Sequence, residues 1–354
     1  MDLFYRTFAG PDHAPFGRRL RSPRGARVPL IVVTGFLGAG KTTLIRNVLA
    51  TPEGADTLVI VNEFGEVGID DALLRTGGDA TVLLGNGCLC CVLRSDLQKT
   101  LVEVLAERAR GELSSFQQII LETSGLADPV PILQTLTGDR GLASQIHLQA
   151  VVTVMDAVLA ARTLDEAPEA RRQVAVADRI VLTKVDLAGE DTARALEAEL
   201  GALNPAAAIT RADNGHVAPA VILADNARLG EPIYPAGRTR HSDGIESFVL
   251  RFDRPLDWAG FEQAMGVLAN LRGHDVLRAK GLLAINGCRG PVVVHQVQHL
   301  TAKPIELESW PDGDQTSRLV FITRGIARGD VEKLFEIALR LADASHDVAG
   351  SAKE

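Results

Sequence analysis

Between Gly35 and Thr42 the chain reads Gly-Phe-Leu-Gly-Ala-Gly-Lys-Thr, a complete match to the pattern G-x-x-x-x-G-K-[ST]. The flanks fit that pattern too. Arg27-Val-Pro-Leu-Ile-Val-Val-Thr34 is a short β-branched run that predicts a buried strand, and Thr43-Leu-Ile-Arg-Asn-Val-Leu-Ala50 keeps helical spacing until Pro52 stops it. A strand, a glycine-rich turn and a helix N-terminus form a concave ring of backbone N–H donors with the helix dipole behind it. Such a site takes a polyphosphate. Gly35, Gly38, Ala39, Gly40, Lys41, Thr42 and Thr43 are the candidate contacts. The glycines supply backbone freedom, Lys41 faces the open site and reaches the β- and γ-phosphates, and the Thr42 hydroxyl ligates Mg²⁺.

A length of 354 residues favours two domains. Short apolar runs alternate with helical stretches from 28 to 225: Thr57–Asn62, Thr81–Leu84, Gln117–Glu122, Leu148–Met155 and Arg179–Thr183 read as strands, Ser95–Arg110 and Thr192–Leu203 as helices. That alternation predicts an α/β fold, a parallel sheet with helices on both faces. Residues 226–245 read as a linker, with Gly230, Pro232, Pro235, Gly237 and Gly244. A smaller α+β domain follows at 246–342. Its strand-like runs are Ser247–Phe252, Gly281–Ile285, Val292–His299 and Arg318–Ile322; its helices are Trp258–Leu271 and Asp330–Leu341. Residues 343–354 read as a frayed tail.

The first 27 residues are basic, with Arg6, Arg18, Arg19, Arg21, Arg24 and Arg27 and no apolar core segment. They read as a disordered extension or an unused upstream start, and not as a secretory signal. A net charge of −8 argues against a general nucleic-acid or membrane-surface binder. No apolar stretch approaches the roughly 18 residues of a membrane span.

Three further segments follow predicted strands. Thr183-Lys-Val-Asp186 resembles the N-K-x-D element that reads guanine: an aspartate there accepts from N1–H and the exocyclic amine, which adenine does not offer. The Lys184 stem packs on the base, and Thr183 stands where asparagine is usual. GTP is therefore expected over ATP. Ile119-Ile-Leu-Glu-Thr-Ser-Gly125 places Glu122 to hold Mg²⁺ or its water and the Gly125 amide to sense the γ-phosphate. Lys41, Thr42 and Glu122 are thus the candidate catalytic residues. Asn62-Glu-Phe-Gly-Glu-Val-Gly-Ile-Asp-Asp71, with four carboxylates among glycines, reads as a switch segment or as a solvated acidic loop.

The distribution of cysteine is lopsided. Gly85-Asn-Gly-Cys-Leu-Cys-Cys91 carries three of the four, and Cys288 stands alone. A disulfide framework would spread them, so a reducing cytoplasm is expected. Three thiols in four residues converge on one soft or borderline metal ion if the backbone curls, which the two glycines allow. His241, His274, His295 and His299 lack ligand spacing and read as surface or core residues.

With these motifs in order, the chain resembles the CobW-type GTPases, relatives of the urease and hydrogenase maturation GTPases. The resemblance spans nearly all of residues 28 to 340, including Arg278-Ala-Lys-Gly281, Val294-His-Gln-Val297 and Arg318-Leu-Val-Phe-Ile322 in the second domain. It implies slow GTP hydrolysis coupled to binding zinc, cobalt or iron and delivering it to a client metalloprotein, met through the C-terminal domain. By position Cys88, Cys90 and Cys91 are the thiol motif, with Glu63 and Glu66 the nearest candidate oxygen ligands. A histidine-rich stretch carried by many relatives is missing. The expected assembly is a monomer or a nucleotide-dependent dimer. Two other readings stay open: a nucleotide-gated metal sensor or store with little turnover, and a P-loop kinase that would leave the thiols without a role.

Overall fold

The computed structural model describes residues 27–62, 81–83, 90–113, 115–224, 238–240, 244–298, 300–301, 304–307, 309–310 and 314–351. The chain divides into two compact units between Pro232 and Ile233.

The first unit holds seven strands: β1 (Val28–Thr34), β2 (Thr57–Asn62), β3 (Thr81–Leu83), β4 (Gln118–Thr123), β5 (Ile146–Asp156), β6 (Arg179–Thr183) and β7 (Ala208–Arg211). They form one sheet in the order β3-β2-β4-β1-β5-β6-β7, with every pairing parallel. Parallel neighbours need crossovers, and among the described residues helices lie between successive strands or, for the last, after β7: α1 (Lys41–Leu49), α2 (Cys90–Arg110), α3 (Val130–Gly138), α4 (Arg140–Gln145), α5 (Ala160–Glu166), α6 (Pro168–Ala175), α7 (Val185–Ala188), α8 (Glu190–Leu203) and α9 (Pro219–Leu223). Ile31, Val33, Val59, Val61, Ile120, Val152 and Val154 pack with Leu44, Ile45 and Val48 of α1 and Ile222 of α9. The alternate residues Leu30, Val32, Leu58, Ile60, Ile119 and Leu121 are equally buried, which is why these strands read as unbroken apolar runs. From β1 the chain first builds one half of the sheet through β4, then crosses to the other half at β5. β1 is therefore the switch point, and ligands of open α/β sheets bind beyond the carboxyl ends of the strands there.

The second unit is an antiparallel sheet of β8 (Arg238–Arg240), β9 (Ile245–Phe252), β10 (Val276–Leu283), β11 (Val292–Val297), β12 (Leu300–Thr301), β13 (Ile305–Glu306) and β14 (Ser317–Arg324), with helices α10 (Trp258–Arg272) and α11 (Arg328–Ser351). The order is β12-β11-β10-β14-β9-β8, with β13 paired to β11. Phe248, Leu250, Leu319 and Phe321 from the strands meet Phe261, Leu268 and Phe335 from the helices in one core. The Phe248 and Phe321 rings stack with centroids 5.5 Å apart.

Several boundaries differ from the sequence reading. The stretch 226–245, rich in glycine and proline, contains the edge strand β8, which pairs through Arg238–Arg240 with Glu246–Phe248. β10 begins at Val276 rather than Gly281, and it buries Arg278 at an interior position that its charge disguises. α2 begins at Cys90 rather than Ser95, so Cys90 and Cys91 lie in its first turn.

Candidate functional site

The phosphate loop is built by three left-handed glycines. Gly35, Gly38 and Gly40 have φ of 143°, 72° and 93°. A side chain costs roughly 1–2 kcal/mol at each such position. Gly35 is also confined: a Cβ there would lie 2.2 Å from the Val154 carbonyl oxygen of β5. Gly40 is the N-cap of α1 and accepts the first helical bond, from Leu44 N at 2.9 Å. Orphan N–H groups and the helix dipole converge on the same concavity.

Lys41 differs from its expectation. It is only 7% exposed, and its Nζ donates to Gly35 O at 3.0 Å and Phe36 O at 3.4 Å. The ammonium bonds carbonyls of the loop itself instead of facing open space.

β4 places the next group. Val33 and Glu122 are ladder partners, and the Thr42 hydroxyl donates to Glu122 Oε1 at 2.7 Å. Glu122 is 1% exposed, so this carboxylate is desolvated beside the loop. Thr123 Oγ1 donates to Thr34 Oγ1 at 2.8 Å, tying the two strand ends together. A Cβ added to Gly125 would sit 2.7 Å from Leu37 N, so the turn after β4 lies against the loop. That turn is held by buried Gln173 of α6, whose Nε2 donates to Gly125 O at 3.3 Å and Ala127 O at 3.1 Å.

β6 approaches from the other side. Thr183 Oγ1 donates to Ala39 O at 2.7 Å. A hydroxyl thus reaches the phosphate loop from the position where asparagine is usual. Lys184 Nζ donates to Gly38 O at 2.9 Å and pairs with Asp156 Oδ2 at the end of β5. Asp186 is exposed in α7. Thr43 lies in the first turn of α1, and its Cγ2 would be 3.4 Å from a Cβ on Gly215. Asn47 Nδ2 donates to Gly215 O at 2.8 Å, so the turn after β7 is clamped to the same helix.

The strand ends therefore gather Glu122, Gly125, Thr183 and Lys184 against the loop and first helical turn that hold Gly35, Gly38, Ala39, Gly40, Lys41, Thr42 and Thr43. Cys88, Glu63 and Glu66 lie outside the described residues, and of Cys90 and Cys91 only the helical backbone is described. Among the described residues no group of three or more His, Cys, Asp and Glu side chains could hold a metal ion. His274 is exposed and His295 half-buried in β11, while His241 and His299 lie outside the described residues. Cys288 is partly buried in the second unit, where burial and the Glu306 carboxylate push its thiol up to about 11. It stays protonated at neutral pH and is a poor ligand. Three residues that organise the site carry no motif: Gln173, Asp156 and Asn47.

Residues 29–211 match the CobW/HypB/UreG nucleotide-binding domain, and residues 245–339 match the cobalamin synthesis protein cobW C-terminal domain. The chain belongs to the CobW family. Within that family it is 32% identical to the zinc chaperone YjiA of Escherichia coli over 314 residues, 87% of this chain and 98% of that protein. It is 33% identical to the zinc chaperone CobW of a Sinorhizobium species over 301 residues, 74% of this chain and 82% of that one. The crystal structure of Zn(II)-bound YjiA GTPase from E. coli is similar to this fold with a TM-score of 0.68 and 28% identity, covering 88% and 98% of the two chains. No helix among the described residues is long and apolar enough to cross a membrane.

Proposed function

We propose that this protein is a GTP-hydrolysing metallochaperone: it binds GTP at the strand ends, turns it over slowly, and carries a divalent transition metal to a client metalloprotein. The observation that carries the nucleotide half is the meeting of β6 with the phosphate loop, where Thr183 and Lys184 bond Ala39 O and Gly38 O. A base-reading segment fastened to a phosphate cradle is what a nucleotide needs at its two ends. Lys41, already inside the cradle, exchanges its loop carbonyls for phosphate oxygens, which are stronger acceptors.

The donors at Thr42 and Glu122 fit Mg²⁺. Both are hard oxygens, one is a buried carboxylate, and they sit 2.7 Å apart. Bound there, the ion neutralises charge on the phosphates. The chain's own residues do the rest: loop amides hold the phosphates, and the Gly125 amide, packed on Leu37, meets the γ-phosphate. Asp186 accepts from the guanine edge.

Zinc is the cargo we favour, with cobalt and iron as alternatives, held by Cys88, Cys90 and Cys91 with Glu63 and Glu66 nearest in sequence. Two relatives described as zinc chaperones support that choice. In sequence the thiol segment links the carboxyl end of β3 to α2. β3 belongs to the parallel sheet whose carboxyl ends carry Glu122 and the phosphate loop, with β2 and β4 between β3 and β1, so we infer that a nucleotide-dependent movement reaches it across those strands. The C-terminal unit then meets the client.

Steady-state GTPase rates test this reading. The expected result is many turnovers per protein, a rate changed severalfold by zinc, and no turnover in Lys41→Ala. One GTP consumed per protein, with or without zinc, would replace the chaperone by a nucleotide-gated sensor.

A further inference from the structure

We infer that Asp156 is a positioning residue of the base site: it fixes Lys184 against the phosphate loop so that the lysine stem becomes a rigid wall for guanine. The inference rests on the reading of Thr183–Asp186 as the base segment.

Asp156 is the last residue of β5 and the ladder partner of Thr183. It is 6% exposed, and a buried carboxylate persists only if its charge and lone pairs are met. Oδ1 accepts the Val158 N–H at 2.8 Å and the Leu159 N–H at 3.3 Å. Oδ2 accepts from Lys184 Nζ. The same ammonium donates to Gly38 O, so it is bracketed between a buried anion and the phosphate loop.

Lys184 gives up much to be held there. Its backbone is left-handed, with φ of 56°, a conformation that non-glycine residues avoid. A lysine fixed at its tip also loses most of its rotamer freedom. Such costs persist where the surroundings over-determine the conformation, and they mark sites whose shape is used. The chain segment is strained at one end, and the Asp156 carboxylate secures the other.

Two consequences follow. An extended lysine whose rotamers are already restricted offers its methylenes to a base without a further ordering penalty. Its charge is also cancelled locally, so Lys184 does not attract phosphates in general. Asp156 therefore contributes to the nucleoside end of the ligand, equally for GDP and GTP.

A double-mutant cycle tests this. GDP and a non-hydrolysable GTP analogue are titrated calorimetrically, in Mg²⁺, against wild type, Asp156→Asn, Lys184→Met and the double variant. Asp156→Asn keeps an oxygen for the Val158 and Leu159 amides, and thermal unfolding without nucleotide checks that it folds. Should it not fold, Asp156→Ser serves the same cycle. The expected loss for Asp156→Asn is roughly three- to tenfold, the scale of ordering one long side chain, and equal for both nucleotides. In the Lys184→Met background the Asp156 substitution should change affinity less than twofold. An undiminished loss in that background would place the effect of Asp156 elsewhere and overturn the inference. So would unchanged affinity in Asp156→Asn while Lys184→Met weakens binding, which leaves the base segment standing. Unchanged affinity in Lys184→Met would overturn the inference and the base segment together.

Discussion

Gly35 carries two demands that only glycine meets. Its φ of 143° lies outside the range of ordinary side chains, and the space a Cβ needs is occupied by the Val154 carbonyl of β5. Gly35→Ala should destabilise the protein by about 3 kcal/mol, overpacking and strain together, because the clash is with backbone and cannot be relieved by a rotamer. Denaturant unfolding measures this, and a loss below half a kilocalorie would mean that the loop relaxes freely. Lys41 is the complementary case. Its residue type and motif position were legible, but its bonds to Gly35 and Phe36 were not, since a pattern of letters does not say which acceptor a long side chain finds. Asp156 and Gln173 went unread for a related reason. Each is one polar residue in an ordinary element, and its partners are brought near only by the parallel sheet.

In the proposed function, Thr183–Asp186 is the element on which nucleotide choice turns. β6 delivers Thr183 and Lys184 to the phosphate loop, and α7 carries Asp186 one turn further. Asp186→Asn exchanges an acceptor for a donor. GTP affinity should fall at least about tenfold and xanthosine triphosphate, with a carbonyl at that edge, should gain, as expected when a site built to hydrogen-bond loses its partner. Competition binding with the two nucleotides gives the answer, and equal binding of ATP and GTP by wild type would contradict the assignment. Elements of this unit were readable because buried parallel strands are continuous apolar runs, as in β1, β2, β4, β5 and β6. Boundaries blurred where burial and polarity conflict: β10 carries Arg278 inside a sheet, and β8 is a three-residue edge in a stretch rich in glycine and proline. The start of α2 was misplaced because Cys90, Cys91 and Val92 are weak helix formers and Gly85 and Gly87 stand just before them.

At the scale of the molecule the proposed function depends on linkage between two ligands. The proposed nucleotide cradle lies at the carboxyl ends of β1, β4 and β6, and the thiol segment follows in sequence the carboxyl end of β3, the outermost strand of the same parallel sheet, with β2 and β4 between it and β1. If the nucleotide changes the conformation of that edge, metal affinity must change, and the metal must then change nucleotide affinity by the same factor, typically about 5–150-fold in coupled systems. Thiolates must be deprotonated to ligate, so zinc binding should also release protons and weaken as pH falls. The decisive measurement is a chelator-competition titration of zinc in Mg²⁺ with a GTP analogue and again with GDP, on wild type and on Cys90→Ser and Cys91→Ser. One zinc per protein, held more tightly in the GTP state and lost in both cysteine variants, is the result predicted here. Equal affinity in the two nucleotide states would contradict the chaperone mechanism, and unchanged affinity in the cysteine variants would contradict the site.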